Sequence, residues 1–283
     1  MADAHIALLP DGRLHLQEGP IDLVIGLDGT RAAIAEARAR ATSAFEGLLA
    51  ALVAELPLLR QPVEADPPPV RGPVARRMAA AVWPFRRDTI TPMAAVAGAV
   101  AEEVLEAIAP TPGLAAAHVN NGGDIALFLA PGQVLRIGLV PSLVRAVPEG
   151  LVRIAAADPV RGIATSGWPG RSFSRGIADA VTVLAATAAQ ADAAATVIAN
   201  AVDAEHPAVH RAPANSLDPD SDLGALPVTI QVGLLPRAVI EAALDAGDRS
   251  AETLLQRGLI HGALLVVKDA MRAVGDGCFL PAC

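Results

Sequence analysis

The first residues that could do chemistry are two oxygen-bearing side chains in an alanine-rich stretch. Asp192 and Thr196 stand four apart in a run from Ala188 onward that is dominated by alanine, the best helix former. On a helix this spacing puts a carboxylate and a hydroxyl on one face, one turn apart. Both are hard oxygen donors of the kind Mg2+ takes while keeping waters for a phosphate partner. The plainer use is a solvated Asp192 and a Thr196 bonded back to the carbonyl four residues earlier. Three further groups stand out. Thr91-Pro92 reads as a helix entry, and the small residues Ala94, Ala95, Ala97, Gly98 and Ala99 follow it. A helix start without bulk offers free N–H groups to an anion such as a pyrophosphate, although tight packing on a sheet needs the same residues. Asn120-Asn121-Gly122-Gly123-Asp124 lies between two apolar runs. Asn-Gly suits a tight hairpin, and two glycines also let a nucleotide approach the backbone, with Asp124 as an acceptor. Thr165-Ser166-Gly167 reads as a turn after a short apolar run.

The elements that must position these groups alternate between strand and helix patterns. Short strands are expected at 5–9 and 13–17 around a Pro-Asp-Gly turn, and a third at 21–27. Thr30 caps a long helix expected to run to about Leu56. The span 61–73 (QPVEADPPPVRGP) is a surface loop, because its proline density excludes helix and internal strand. A short helix at 74–82 follows, then the helix after Thr91. Strands are expected at 115–119, 125–129, 134–140 and 151–155, and from Ile177 to Leu184, where Val181, Thr182 and Val183 favour extended backbone. Thr187 is the expected cap of the alanine-rich helix. Later come a strand at 228–232, a helix at 236–246 closed by Gly247, and a strand at 259–267.

Bulk properties narrow the classes. The chain has 283 residues, enough for one large domain or two small ones. It is 53% apolar, so a sizeable core is expected, and its net charge of −8 argues against a nucleic-acid footprint. Arg76, Arg77, Arg86 and Arg87 are the one basic cluster and read as a solvated face. No run of uninterrupted apolar residues is long enough to span a membrane, and the polar start lacks the pattern of a signal peptide. Cys278 and Cys283 have no partners at zinc spacing. Asp218, Asp220 and Asp222 alternate as in a calcium loop but lack its glycine and glutamate, which leaves a capping loop.

The order of three motifs resembles the ApbE superfamily of flavin transferases. Thr-Ser-Gly is followed by a strand with Val-Thr-Val (181–183) and then by Ala-Asp-x-x-x-Thr (191–196). VNNGGDIALFL (119–129) looks like the superfamily's Gly-Gly-Asp strand motif. TPMAAVAGAVAEEVLEAI (91–108) sits where it has a Gly-Ile-Ala-Lys-Gly helix start. A cytosolic branch carries Pro-Met-Ala-x-Val-Ala-Gly, Asn-Asn-Gly-Gly-Asp-Ile and Pro-Asp-Ser-Asp-Leu-Gly much as here. The likeness runs from about Asp22 to Val232.

It implies a T-fold-like α+β architecture, antiparallel sheets backed by helices with an internal duplication. A single domain over 1–283 is expected, with room for two intertwined subdomains. It further implies FAD binding and Mg2+-dependent transfer of FMN to a Thr or Ser of an acceptor protein, in a cytoplasmic protein that a homo-oligomer would suit. By the same resemblance, the Ala97 carbonyl, Asp192 and Thr196 hold the metal, and the last two are the catalytic pair. The flavin nucleotide meets Ala97, Gly98, Asn121, Gly122, Gly123, Asp124, Thr165, Ser166 and Gly167. Two departures support an alternative, a flavin- or nucleotide-binding protein without transfer chemistry. The superfamily's Lys beside Ala97 is missing. Its His-Ile-Ile-Asp-Pro-Arg-Thr-Gly segment is here Phe173 to Ala180, with no His and Asp179 as the one acid.

Overall fold

The structure, a computed structural model, describes residues 4–139, 150–275 and 279–281. Cys278, Cys283 and the expected end of a strand at Val140 therefore lie outside the described residues. In chain order the strands and helices begin with β1 (His5–Leu8), β2 (Leu14–Glu18), β3 (Ile21–Gly29), α1 (Arg31–Phe45), α2 (Leu48–Leu59), α3 (Pro73–Val82) and α4 (Val96–Ile108). They continue with β4 (Leu114–Asn121), β5 (Asp124–Leu129), β6 (Val134–Leu139), β7 (Gly150–Ala155), β8 (Gly162–Ser166), β9 (Ala180–Ala185) and α5 (Ala188–Ala201). The chain closes with β10 (Val209–Pro213), α6 (Ala214–Leu217), β11 (Pro227–Val232), α7 (Arg237–Gln256), β12 (Gly262–Val267), β13 (Ala270–Val274) and β14 (Phe279–Pro281).

Two compact units share this chain, one formed by 1–135, 155–164 and 186–192, the other by 136–154, 165–185 and 193–283. Strand β8 and helix α5 each begin in the first unit and end in the second. In the first unit β1 to β5 form an antiparallel meander, and the start of β8 pairs with β5 through Ile163 and Ile125. One face of β2 and β3 is apolar: Leu14, Leu16, Leu23 and Ile25 are buried, as alternation requires. Helix α4 packs on β4 and β5, and α1 lies beside α4. Small side chains (Ala33, Ala37, Ala41) fill α1's buried stripe at helical spacing, with Phe45 at its end. In the second unit β9, β12 and β13 pair antiparallel, α7 packs on β12 and β13, β10 pairs with β11, and β14, β7 and β6 form a small sheet.

Several expected boundaries move. The helix expected over 30–56 is two helices, because Gly47 takes a left-handed conformation (φ 74°) between them. Taken together, 31–59 is long and apolar enough to cross a membrane by length and composition alone, a test that buried core helices also pass. The helix expected to close at Gly247 continues to Gln256. Gly247 is a packing glycine, since a Cβ there would lie 2.2 Å from Val202 Cγ2 and 2.6 Å from Leu265 Cδ2. Residues 177–179 precede β9 instead of belonging to it. Asp218 Oδ1 accepts from the Asp220 N–H (2.9 Å), so the acidic loop is held by an Asx turn.

Candidate functional site

The first unit brings Asp192 to the start of α4. Thr91 does cap a helical turn, with its hydroxyl accepting from the Met93 N–H (3.2 Å), but that turn is a 3-10 segment over Pro92–Ala95. The α-helix proper starts at Val96. Its first-turn amide at Gly98 donates to Asp192 Oδ2 (3.0 Å). The N–H expected to meet a pyrophosphate is thus given to a carboxylate of the same chain. Gly98 has no room for a side chain: a Cβ would lie 2.3 Å from the Ala188 carbonyl oxygen and 2.7 Å from the Ala189 nitrogen.

Asp192 sits in an unfavourable place for an anion. Burial raises its pKa well above the ordinary carboxylate value, and the nearby Asp124 carboxylate raises it further. The amides of Gly98 and Ala97 oppose the shift without cancelling it. A carboxylate whose stabilising contacts are backbone N–H groups, with a second carboxylate nearby, fits a divalent cation. Among the described residues no three His, Cys, Asp or Glu side chains converge as a metal cluster. Carbonyl and hydroxyl oxygens would therefore have to complete such a site.

Asn121 turns inward. It is buried, its amide donates to the Ala97 carbonyl (3.2 Å), and its own oxygen accepts from the Asp22 N–H at 3.4 Å. It braces the expected carbonyl ligand. Gly122 and Gly123 form the two-residue turn between β4 and β5, both at positive φ (65° and 118°). The Gly123 N–H donates to Asn120 Oδ1 (2.8 Å). Backbone conformation alone therefore requires these glycines.

Helix α5 is capped as expected, with Thr187 Oγ1 accepting from the Gln190 N–H (3.2 Å). A second acceptor was not legible in the sequence. Glu102 of α4, 8% exposed, accepts from the Ala189 N–H (2.7 Å) and, through its other oxygen, from Arg77 (2.8 Å). Arg77 is no solvated residue, because it also binds Glu103 and Glu106. These carboxylates raise its pKa beyond the ordinary arginine value against the cost of burial. Thr196 follows Asp192 by one turn on α5, in the part of the helix that belongs to the second unit.

The remaining expected contacts belong to the second unit. Thr165 and Ser166 are the last residues of β8, not a turn. The Thr165 and Thr182 hydroxyls share a hydrogen bond (2.9 Å), and Gly167 packs its backbone against Asp179, whose carbonyl oxygen would be 2.4 Å from a Cβ. Asp179 accepts from the Trp168 indole N–H (3.0 Å) and from the Lys268 backbone N–H. Both of its oxygens are thereby engaged. Lys268, at a positive φ of 56°, donates its ammonium to the Val232 carbonyl at 2.9 Å.

A family model described as "AbpE bacteria" matches residues 6–273. The chain belongs to that ApbE-like family. Among its relatives, a UPF0280 protein of Methanopyrus kandleri is 42% identical over 142 residues, covering 49% of this chain and 54% of the relative. A UPF0280 protein of Methanospirillum hungatei is 37% identical over 132 residues, covering 46% and 52%. The chain thus spans about half the length of these curated relatives. Among solved structures, an ApbE protein from Thermotoga maritima matches with a TM-score of 0.50 at 13% identity, covering 95% of this chain and 96% of that one, a likeness of fold alone. Mixed antiparallel sheets backed by helices are the architecture expected from the resemblance. Gly98 stands where the resemblance has a Lys beside Ala97, and its backbone abuts α5 with no room for a side chain.

Proposed function

We propose that this ApbE-like protein binds a flavin dinucleotide through a divalent cation held at Asp192, and that it transfers FMN to a protein hydroxyl. The observation that carries the reading is a half-buried Asp192 carboxylate, fixed by the Gly98 amide and near Asp124. Asp192 and the Ala97 carbonyl would hold Mg2+, with Thr196 one turn along the same helix as the further oxygen donor. When bound, the cation supplies positive charge to the pyrophosphate oxygens. This chain's own contribution is to keep the carboxylate oriented and partly desolvated, where its attraction for a cation is stronger than in open water. In the transfer, the acceptor oxygen forms a bond to the FMN phosphorus, the pyrophosphate P–O bond breaks, AMP leaves, and the hydroxyl proton passes to solvent. The flavin contacts of Thr165, Ser166 and Gly167, and a cytoplasmic setting, belong to the same proposal.

A second reading is binding without transfer. Asp179, the one acid in the segment where the resemblance expects a His, has each oxygen held by a donor of the same chain, the Trp168 indole and the Lys268 amide, which favours a structural role for it over that of a base. Thermal-shift titration with FAD, FMN and ADP, with and without Mg2+, tests the shared part. A ligand at about a hundredfold over its Kd stabilises by roughly 2.7 kcal/mol. A Mg2+-dependent FAD shift that disappears in Asp192→Ala is expected, and no shift with any flavin ends both readings. Release of AMP with FMN left on a Thr- or Ser-containing acceptor separates transfer from binding.

A further inference from the structure

Helices α4 and α5 exchange carboxylates. Asp192 of α5 takes a first-turn amide of α4, and Glu102 of α4 takes a first-turn amide of α5. We propose that Glu102 is the positioning residue of the cation site: by holding Ala189 it keeps the first turn of α5 seated on α4, and so keeps Asp192 on the Gly98 amide. The inference rests on the reading of Asp192 as a cation ligand.

Three observations support a positioning role. Arg77 does not need Glu102, because Glu103 and Glu106 already bind it from more exposed positions. Burying a carboxylate is costly, so a buried one must return something specific. What it meets is the Ala189 N–H at the positive end of α5, where a negative charge is favoured. Geometry ties the two contacts together. Gly98 and Glu102 are one turn apart on α4, and Ala189 and Asp192 lie within one turn on α5. The backbone approach at Gly98 leaves no slack between the helices. Loss of the Glu102 bond would free the start of α5, and Asp192 would move with it.

The test uses the full chain, with Mn2+ uptake followed by electron paramagnetic resonance and the Gly98 amide proton followed by 15N-edited NMR. Glu102→Ala is expected to weaken Mn2+ binding by about tenfold or more, the scale seen when groups supporting a metal ligand are removed. The Gly98 proton should move upfield and exchange faster. Glu102→Gln keeps an acceptor for Ala189 and should restore both readouts to near wild type. Glu102→Asp keeps the charge for Arg77 but falls one methylene short of Ala189, and it is read the same way if the Ala variant does not fold. Native Mn2+ affinity and an unchanged Gly98 proton in the Ala or Asp variant would overturn the proposal. Wild-type protein that takes up no Mn2+ would end the cation reading, and the Gly98 signal would then decide alone whether Glu102 positions Asp192.

Discussion

Replacing Gly98 by alanine sets two effects of opposite sign against each other. In an ordinary helix the change would stabilise by roughly 1 kcal/mol, since glycine is the poorer helix former. Here the new Cβ would stand 2.3 Å from the Ala188 carbonyl oxygen and 2.5 Å from its carbon, both backbone atoms that cannot rotate away. Reaching an ordinary contact of 3.4 Å requires the helices to part by about 1.1 Å (3.4 minus 2.3). That movement would stretch the Glu102–Ala189 bond from 2.7 Å and the Gly98–Asp192 bond from 3.0 Å, in each case beyond effective hydrogen bonding. Overpacking costs about 1–3 kcal/mol, and weakening hydrogen bonds to charged acceptors about 1.5–3 kcal/mol. After the propensity gain, a net loss of roughly 1.5–5 kcal/mol remains. Urea unfolding should show this as a lower midpoint with an unchanged slope, and Tm should fall by roughly 5–15 °C. A neutral or stabilising Gly98→Ala would refute the close approach of α4 to α5.

Other consequences follow from the same unit. Arg77→Met leaves Glu102, Glu103 and Glu106 without their shared cation and should cost roughly 2–4 kcal/mol in urea unfolding. Arg40→Met, which breaks only an exposed pair with Glu36 one turn away, should cost less than about 0.5 kcal/mol. His118 packs its ring over Gly26, where a Cβ would be 2.1 Å from Cε1, and burial, with a smaller effect of Arg13, lowers its pKa. The unfolded chain therefore binds the proton more tightly than the folded one. Stability should be complete above the unfolded histidine value of about 6.5 and should fall as pH drops through the interval below it. Tm measured across that range should lose part of its slope in His118→Gln; an identical slope would remove His118 as its source.

How far the sequence reaches depends on how local the signal is. Thr187 as a cap and the Asn-Gly-Gly hairpin follow from neighbouring residues, and the structure has both, whereas the loop expected over 61–73 stops at Gly72 because Pro73 opens α3. Boundaries set by packing were not legible. An isolated Gly47 or Gly247 inside an apolar helical pattern reads the same way, yet one breaks a helix through its φ and the other stays helical beneath Val202 and Leu265. In the candidate site, Asp192 is visible through its spacing to Thr196, but Glu102 and Arg77 are not. They are 25 residues apart, and an acidic run on one helix facing arginines on another looks like two solvated faces until the chain folds. Asn121 was legible as a residue and not in its orientation, because nothing local says that its amide turns toward Ala97.

These details share one electrostatic logic. Amides at the first turns of α4 and α5 attract carboxylates, and each helix supplies one to the other. For Glu102 the arrangement is balanced, since Arg77 neutralises it. For Asp192 it is not: the second neighbour is Asp124, another acid, and the two amides leave its pKa raised. A fold selected only for stability would gain by exchanging Asp192 for a neutral acceptor such as asparagine, which could still take the Gly98 N–H. Asp192→Asn should therefore be at least as stable as the wild type at neutral pH without metal, and it should lose the stabilisation that Mg2+ gives the wild type. A destabilised Asp192→Asn would mean that the carboxylate serves the fold, and the unbalanced charge would no longer argue for a cation.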